Sequence, residues 1–160
     1  MRSTLLLIML WASFVCQAQS YKLFTTDEEL SSSLINHIYQ DSNGMIWVAT
    51  EDGLNRYDGA KFTTYKHNPE DAHSLSHNYV RRIFEDSKGH IYIGTHNGVQ
   101  VYNPATDTFS GKAILENGRP YNQSITDIIE RNNGEVWVAG DRTGKIEIDG
   151  DNLRLTYLSI

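Results

Sequence analysis

Glycine returns every 45 residues in this chain, at Gly44, Gly89 and Gly134, and an aromatic residue follows three positions later each time, as Trp47, Tyr92 and Trp137. The surrounding strings, DSNGMIWVAT, DSKGHIYIGT and RNNGEVWVAG, are variants of one unit. A unit of this length cannot bury its own apolar face, so it must stack on its neighbours, and the fold is set by the repeat.

Within the first unit, residues 34–39 and 45–50 are rich in β-branched and aromatic residues, and Asp41-Ser42-Asn43-Gly44 between them is polar. This reads as two strands joined by a tight turn, with glycine supplying the positive φ the turn needs. Residues 79–84 and 90–95 repeat the pattern, as do 125–129 and 135–139. A second turn follows at Glu51-Asp52-Gly53 and His96-Asn97-Gly98, and at Asp141-Arg142-Thr143-Gly144 with one extra residue. Third strands are expected at 54–57, 99–102 and 145–148, the first two ending in Tyr57 and Tyr102. Fourth strands are expected at 61–65, 106–109 and 153–157.

Four antiparallel strands per unit make a β-propeller blade, so the chain is all-β, with about three blades of an incomplete propeller at 34–74, 75–121 and 122–160. Gly44, Trp47, Gly53, Tyr57, Gly89, Tyr92, Gly98, Tyr102, Gly134 and Trp137 form its structural signature. Lys22-Leu23-Phe24-Thr25-Thr26 echoes Lys61-Phe62-Thr63-Thr64, so residues 19–33 are expected to give an outer strand and linker to another blade. Propellers close with about four to eight blades, so the chain reads as the start of a longer or truncated protein.

The N-terminus has the plan of a secretory signal peptide. Arg2 precedes a mainly apolar stretch of eleven residues, 5–15, and Cys16-Gln17-Ala18 sets small residues for a cut after Ala18. An uncleaved anchor is the alternative, although the stretch is short for a bilayer. Removing residues 1–18 removes the only cysteine, so the mature chain is held by packing alone, as suits a periplasm. It also leaves 13 basic residues against 20 acidic, a balance opposed to nucleic acid or an anionic membrane surface as partner.

Site candidates must be weighed against the repeat. Trp47, Tyr92 and Trp137 have faces that suit sugar rings, but a position repeated in every unit serves the scaffold, so packing between blades is expected. His73 and His77 stand four apart in a loop without helical geometry or a visible third ligand, so no metal is expected. The DSNG and DSKG strings have too few carboxylates for calcium and read as turns whose aspartate caps the backbone. Alternation sends Arg81 and Arg82 to opposite sides of a strand, with a cross-blade ion pair the simpler reading and a channel or loop contact the other. The polar insert 67–74 is the best-placed ligand loop. Asp27-Glu28-Glu29 and Glu51-Asp52 read as solvated acids, and there is neither a nucleophile elbow nor a phosphate loop. No catalytic residue and no cofactor is expected.

The recurring string, hydrophobic-x-x-Ile-x-x-Asp-x-x-Gly-x-Ile/Val-Trp-Val-Ala-Thr-x-x-Gly-Leu-x-x-Tyr, resembles the two-component regulator propeller repeat. Asp41, Gly44, Ile46, Trp47, Val48, Thr50, Gly53, Leu54 and Tyr57 match it in the first unit. The second unit has Tyr92 and Gly94 instead of Trp and Ala, and the third has Arg131 instead of Asp. The resemblance implies the N-terminal periplasmic part of a hybrid histidine kinase sensor of the kind found in gut Bacteroidetes. It implies an oligosaccharide ligand bound by the complete sensor, a homodimer, and a membrane span and transcriptional output in segments not seen here. On this reading the chain is scaffold and binding surface. The alternatives are part of a secreted propeller enzyme, a lyase or glycosidase, or a stand-alone exported module that closes its ring by oligomerising.

Overall fold

In a computed structural model the described residues are 23–25, 29–110, 113–115, 117–150 and 152–158. The leader at 1–18 lies outside them, as do Lys22 and Thr26 of the expected outer strand and Asp27 and Glu28 of the acidic string. The first sheet runs β1 (Ile35–Gln40), β2 (Ile46–Thr50), β3 (Gly53–Tyr57), β4 (Phe62–Tyr65). The second runs β5 (Val80–Glu85), β6 (Ile91–Thr95), β7 (Gly98–Asn103), β8 (Thr108–Phe109). The third joins β10 (Asp127–Glu130), β11 (Val136–Ala139), β12 (Gly144–Asp149) and β13 (Asn152–Tyr157), with β9 (Ile114–Leu115) added outside β13. In each sheet the four blade strands form an antiparallel meander in chain order, as alternating strands and tight turns dictate.

Registers repeat as the sequence does. Trp47 lies opposite Tyr39 and Arg56, Tyr92 opposite Phe84 and Val101, and Trp137 opposite Ile129 and Lys145. Gly53 and Gly98 close the second turns with φ of +137° and +95°. The third blade corrects the expected alignment. Gly144 lies opposite Val138, the place that Asn55 and Gln100 hold opposite Val48 and Ile93, so it is not the counterpart of Gly53. The extra residue lengthens the loop before it, and Leu155 fills the side-chain space, 2.7 Å from where a Cβ on Gly144 would stand.

Strand β9 was not legible either. It pairs parallel to β13, Ile114 with Arg154 and Leu115 with Leu155, and covers the outer edge of that sheet. Of the expected outer strand, Leu23–Thr25 form no ladder; Phe24 packs instead on Tyr57 and Phe62, with ring centroids 5.1 and 5.0 Å away.

The cores lie between sheets. Trp47, Ala49 and Leu54 of the first blade meet Val80, Ile83, Ile91 and Ile93 of the second. Tyr92 and Val99 of the second meet Ile128, Val136, Val138 and Leu155 around the third. Ile38, Ile83 and Ile128 hold one repeat position with exposures of 59%, 1% and 2%. The same side chain is therefore core only where a preceding blade covers it.

Candidate functional site

The repeat signature is a turn that also pins an aromatic ring. Asp41 Oδ1 accepts the Asn43 and Met45 amides at 3.0 and 2.9 Å, and Oδ2 accepts the Trp47 indole N–H at 2.8 Å. Asp86 repeats this with the Lys88 and His90 amides, the Tyr92 hydroxyl at 3.1 Å and His90 Nδ1 at 2.8 Å. Burial opposes ionisation of Asp86, but the bonds from His90 and the Lys88 amide outweigh it and hold its carboxyl below the ordinary value. Burial, then the Asp86 charge, pushes the Tyr92 phenol well up. In the third blade Arg131 cannot accept, and Glu135 takes the Trp137 indole at 3.4 Å while Arg131 lies over the ring. Trp47 and Tyr92 are sealed between blades and present no face to a sugar, whereas Trp137 is half-buried.

Neighbouring turns are tied by a bond pair invisible to motif reading. The Ser42 amide and hydroxyl donate to the two Glu85 oxygens at 2.7 and 2.5 Å, and Ser87 donates likewise to Glu130 at 2.8 and 2.7 Å. Each glutamate ends the first strand of the following blade. Both pairs span 43 residues, and that recurrence was the available signal.

At the opposite end of β1, β5 and β10 the side chains diversify. His37, Arg82 and Asp127 share one repeat position, and Arg82 Nε pairs with Asp127 Oδ1 at 2.8 Å across two blades. The Ile83 amide donates to His37 Nδ1 at 3.3 Å, and burial together with the Arg82 charge lowers the His37 pKa. Arg81 takes the other direction. It donates to Ser124 Oγ at 3.3 Å and lies 5.9 Å above the Tyr79 ring. Tyr79 donates its hydroxyl to Glu51 Oε1 at 3.1 Å, a bond that raises its pKa. The Tyr79 amide donates to His77 Nδ1 at 2.9 Å, which leaves the ring proton on Nε2 of a neutral His77. The His96 ring stands 5.5 Å from Tyr79 and 5.7 Å from His77. Lys66 and Asn78 hold Asp52 beside them at 2.6 and 3.1 Å.

This convergence of Glu51, His77, Tyr79, Arg81 and His96 is the candidate site. It offers a half-exposed aromatic face, a guanidinium and imidazole edges, which suits hydrogen bonding and stacking. Sequence reasoning singled out the arginine pair and the histidines but not Tyr79, because Glu51 and His96 reach it from turns far along the chain. The insert 67–74 is a self-bonded loop: Ser74 Oγ accepts the Asn68 amide and offers its one proton to Asn68 O or Asp71 O, 2.9 and 2.8 Å away, and Asp71 Oδ1 accepts the His73 amide. His73 and His77 part company, His73 going to Phe109 O and His77 to Tyr79.

The family model for the two component regulator propeller matches residues 29–52 and 74–97. Over 56 residues the chain is 48% identical to histidine kinase P4 of Formosa agariphila, a match covering 35% of this chain and 4% of that protein. The fold superposes on the extracellular domain assigned to the hybrid two component system BT3049 of B. thetaiotaomicron. That match has a TM-score of 0.70 at 25% identity, covering 85% of this chain and 20% of that one. The extracellular domain of BT4673 from the same organism shares the fold at a TM-score of 0.67 and 20% identity, over 89% of this chain and 21% of that one. The chain thus spans about a fifth of the length of each of these two structures. With its Asp–Gly–aromatic turns and sheet meanders, the chain carries two-component regulator propeller repeats at residues 29–52 and 74–97 and shares its fold with the extracellular domain of a hybrid two component system.

Proposed function

We propose that this chain belongs to an exported, periplasmic sensor that binds an oligosaccharide and passes the event to a two-component phosphorelay controlling transcription. The observation that carries the reading is the cluster of Tyr79, Arg81, Glu51, His77 and His96 on blades that match a hybrid two component extracellular domain. A stacking ring ringed by donors and acceptors is the usual means of holding a neutral or weakly charged saccharide. The cluster orients and binds; its role involves no chemical step. Signal transfer follows from differential affinity: a saccharide held better by one arrangement of a homodimer shifts the population towards it.

The test is a panel of oligosaccharides titrated calorimetrically into the full-length protein and its Tyr79→Ala and Arg81→Gln variants. Saturable binding without turnover, weakened at least about tenfold by Tyr79→Ala, is the expected result. Cleavage of a bound glycan by the protein, or affinity indifferent to both substitutions, would overturn the reading.

A further inference from the structure

The first and second blade interfaces are built from the same repeat, yet they are filled differently. At the first, Arg56 lies opposite Trp47 in the β2–β3 ladder and its guanidinium reaches across to the second blade. It sits 5.6, 5.5 and 5.6 Å from the ring centres of Trp47, Tyr65 and Tyr102. It also donates to the Tyr102 hydroxyl and, at 2.9 Å, to Asp107 Oδ1. Tyr65 and Tyr102 each donate to the same oxygen at 2.6 Å. Asp107 is held at φ 57°, the one positive value among the described residues other than glycine. This interface is plugged by its own side chains.

At the second interface the position of Arg56 is taken by Val101, opposite Tyr92. The side chain is too short to cross, and a groove of about 670 Å³ runs between β7–β8 and the β12–β13 turn. Its floor is apolar: Val101, Phe109 and Leu153, with Ile148 on the wall at 39% exposure. Its rim carries Thr108, Asn152, His73 and His90. His73 engages Phe109 O through Nδ1 at 3.3 Å and His90 engages Asp86 through Nδ1, so each keeps Nε2 as its remaining polar atom. Among the described residues that line the groove there is no lysine, arginine, aspartate or glutamate.

We propose that this groove is a binding site for a small uncharged ring compound with one apolar face and a hydroxyl-bearing edge. The size fits the range of roughly 300–1,000 Å³ that small-molecule sites occupy. The apolar floor favours a ring face removed from water. An ionised ligand would lose hydration with no opposite charge among the described lining residues to replace it. Neutral hydroxyls can exchange donors and acceptors with Thr108, Asn152 and the imidazole nitrogens. The insert 67–74, which joins the first two blades, delivers His73 to this rim. The site is distinct from the Tyr79 cluster and stands whether or not that cluster binds a saccharide.

The probe is p-nitrophenyl β-D-glucoside, titrated into the full chain by ligand-observed NMR and calorimetry, with p-nitrophenyl phosphate as the charged comparison. The neutral probe is expected to bind saturably and the phosphate more weakly. Val101→Arg, which restores the side chain of the first interface, should weaken the neutral probe at least about tenfold, and so should Ile148→Glu on the exposed wall. Ile148→Glu keeps the test decisive if Val101→Arg disturbs folding, which a thermal melt reads directly. Absence of saturable binding, equal affinity for the phosphate, or indifference to both substitutions would overturn the proposal. Loss of binding in Tyr79→Ala with retention in Val101→Arg would move the probe to the Tyr79 cluster and equally overturn it.

Discussion

Replacing Asp41 by alanine isolates the bond that couples a turn to the core. Three donors converge on this carboxylate, the Asn43 and Met45 amides and the Trp47 indole. Asn43 is exposed and Met45 partly so; their amides can turn to water, so each bond contributes about 0.5–1.5 kcal/mol. The indole has no such recourse. Trp47 is 0% exposed, and its N–H without an acceptor costs about 1–3 kcal/mol. Asp41→Ala should therefore destabilise the chain by about 3 kcal/mol, a fall in Tm of roughly 6–12 °C for a chain of this size. Trp47→Phe removes the donor, so the two changes together should cost about 1–2 kcal/mol less than their sum. The assay is a double-mutant cycle in urea followed by far-ultraviolet circular dichroism, which does not depend on the tryptophan. The third blade supplies the contrast: Glu135 meets half-buried Trp137 at 3.4 Å, and that pair should couple by less than about 0.5 kcal/mol. Equal coupling in both blades, or none at Asp41, would refute the argument that burial gives this bond its weight.

Acid should act through Asp86, whose native carboxyl titrates below its ordinary 3.8 because hydrogen bonds from His90 and the Lys88 amide outweigh the burial that opposes ionisation. Its stabilising contribution is complete above the unfolded value and fades as pH falls through the lower native one. Asp86→Asn should thus lose less stability than wild type between roughly pH 5 and 2, and an unchanged slope would count against it. Gly98→Ala places a Cβ 2.5 Å from Tyr121 O at φ +95°, whereas Gly44→Ala at φ +84° meets nothing within 4 Å. The first should cost clearly more than the about 1–2 kcal/mol of left-handed strain alone that the second pays, as thermal melts would show; equal costs would refute the packing argument. Asp107→Ala strands Arg56 among three rings and should cost about 2 kcal/mol by urea titration, while a neutral outcome would mean the cage contributes nothing net.

The period of the fold was legible because its causes are local. The β-branched and aromatic run at residues 45–50 and the glycine that closes each polar turn act within a few residues, and the ladders follow from them. What the sequence hid depends on which residues meet across blades. Ser42 finds Glu85 and Arg56 finds Asp107 at separations of 43 and 51 residues, and no propensity of either residue announces the partner. Gly144 misled because an insertion is resolved only by the ladder, which puts Leu155 where a side chain would go. β9 is two residues long, too short for a periodic signal. The same comparison separates scaffold from site. Positions that keep their chemistry through the repeat, such as Asp41 and Asp86 or Ile83 and Ile128, hold turns and cores together. Positions that change it mark where the blades stop being equivalent: Leu34, Tyr79 and Ser124 just before the first strand of each blade, and Arg56, Val101 and Lys145 on the third strands. A repeated scaffold leaves individuality only to such positions, and Tyr79 and Val101 each sit at the centre of a surface that the neighbouring blades do not reproduce.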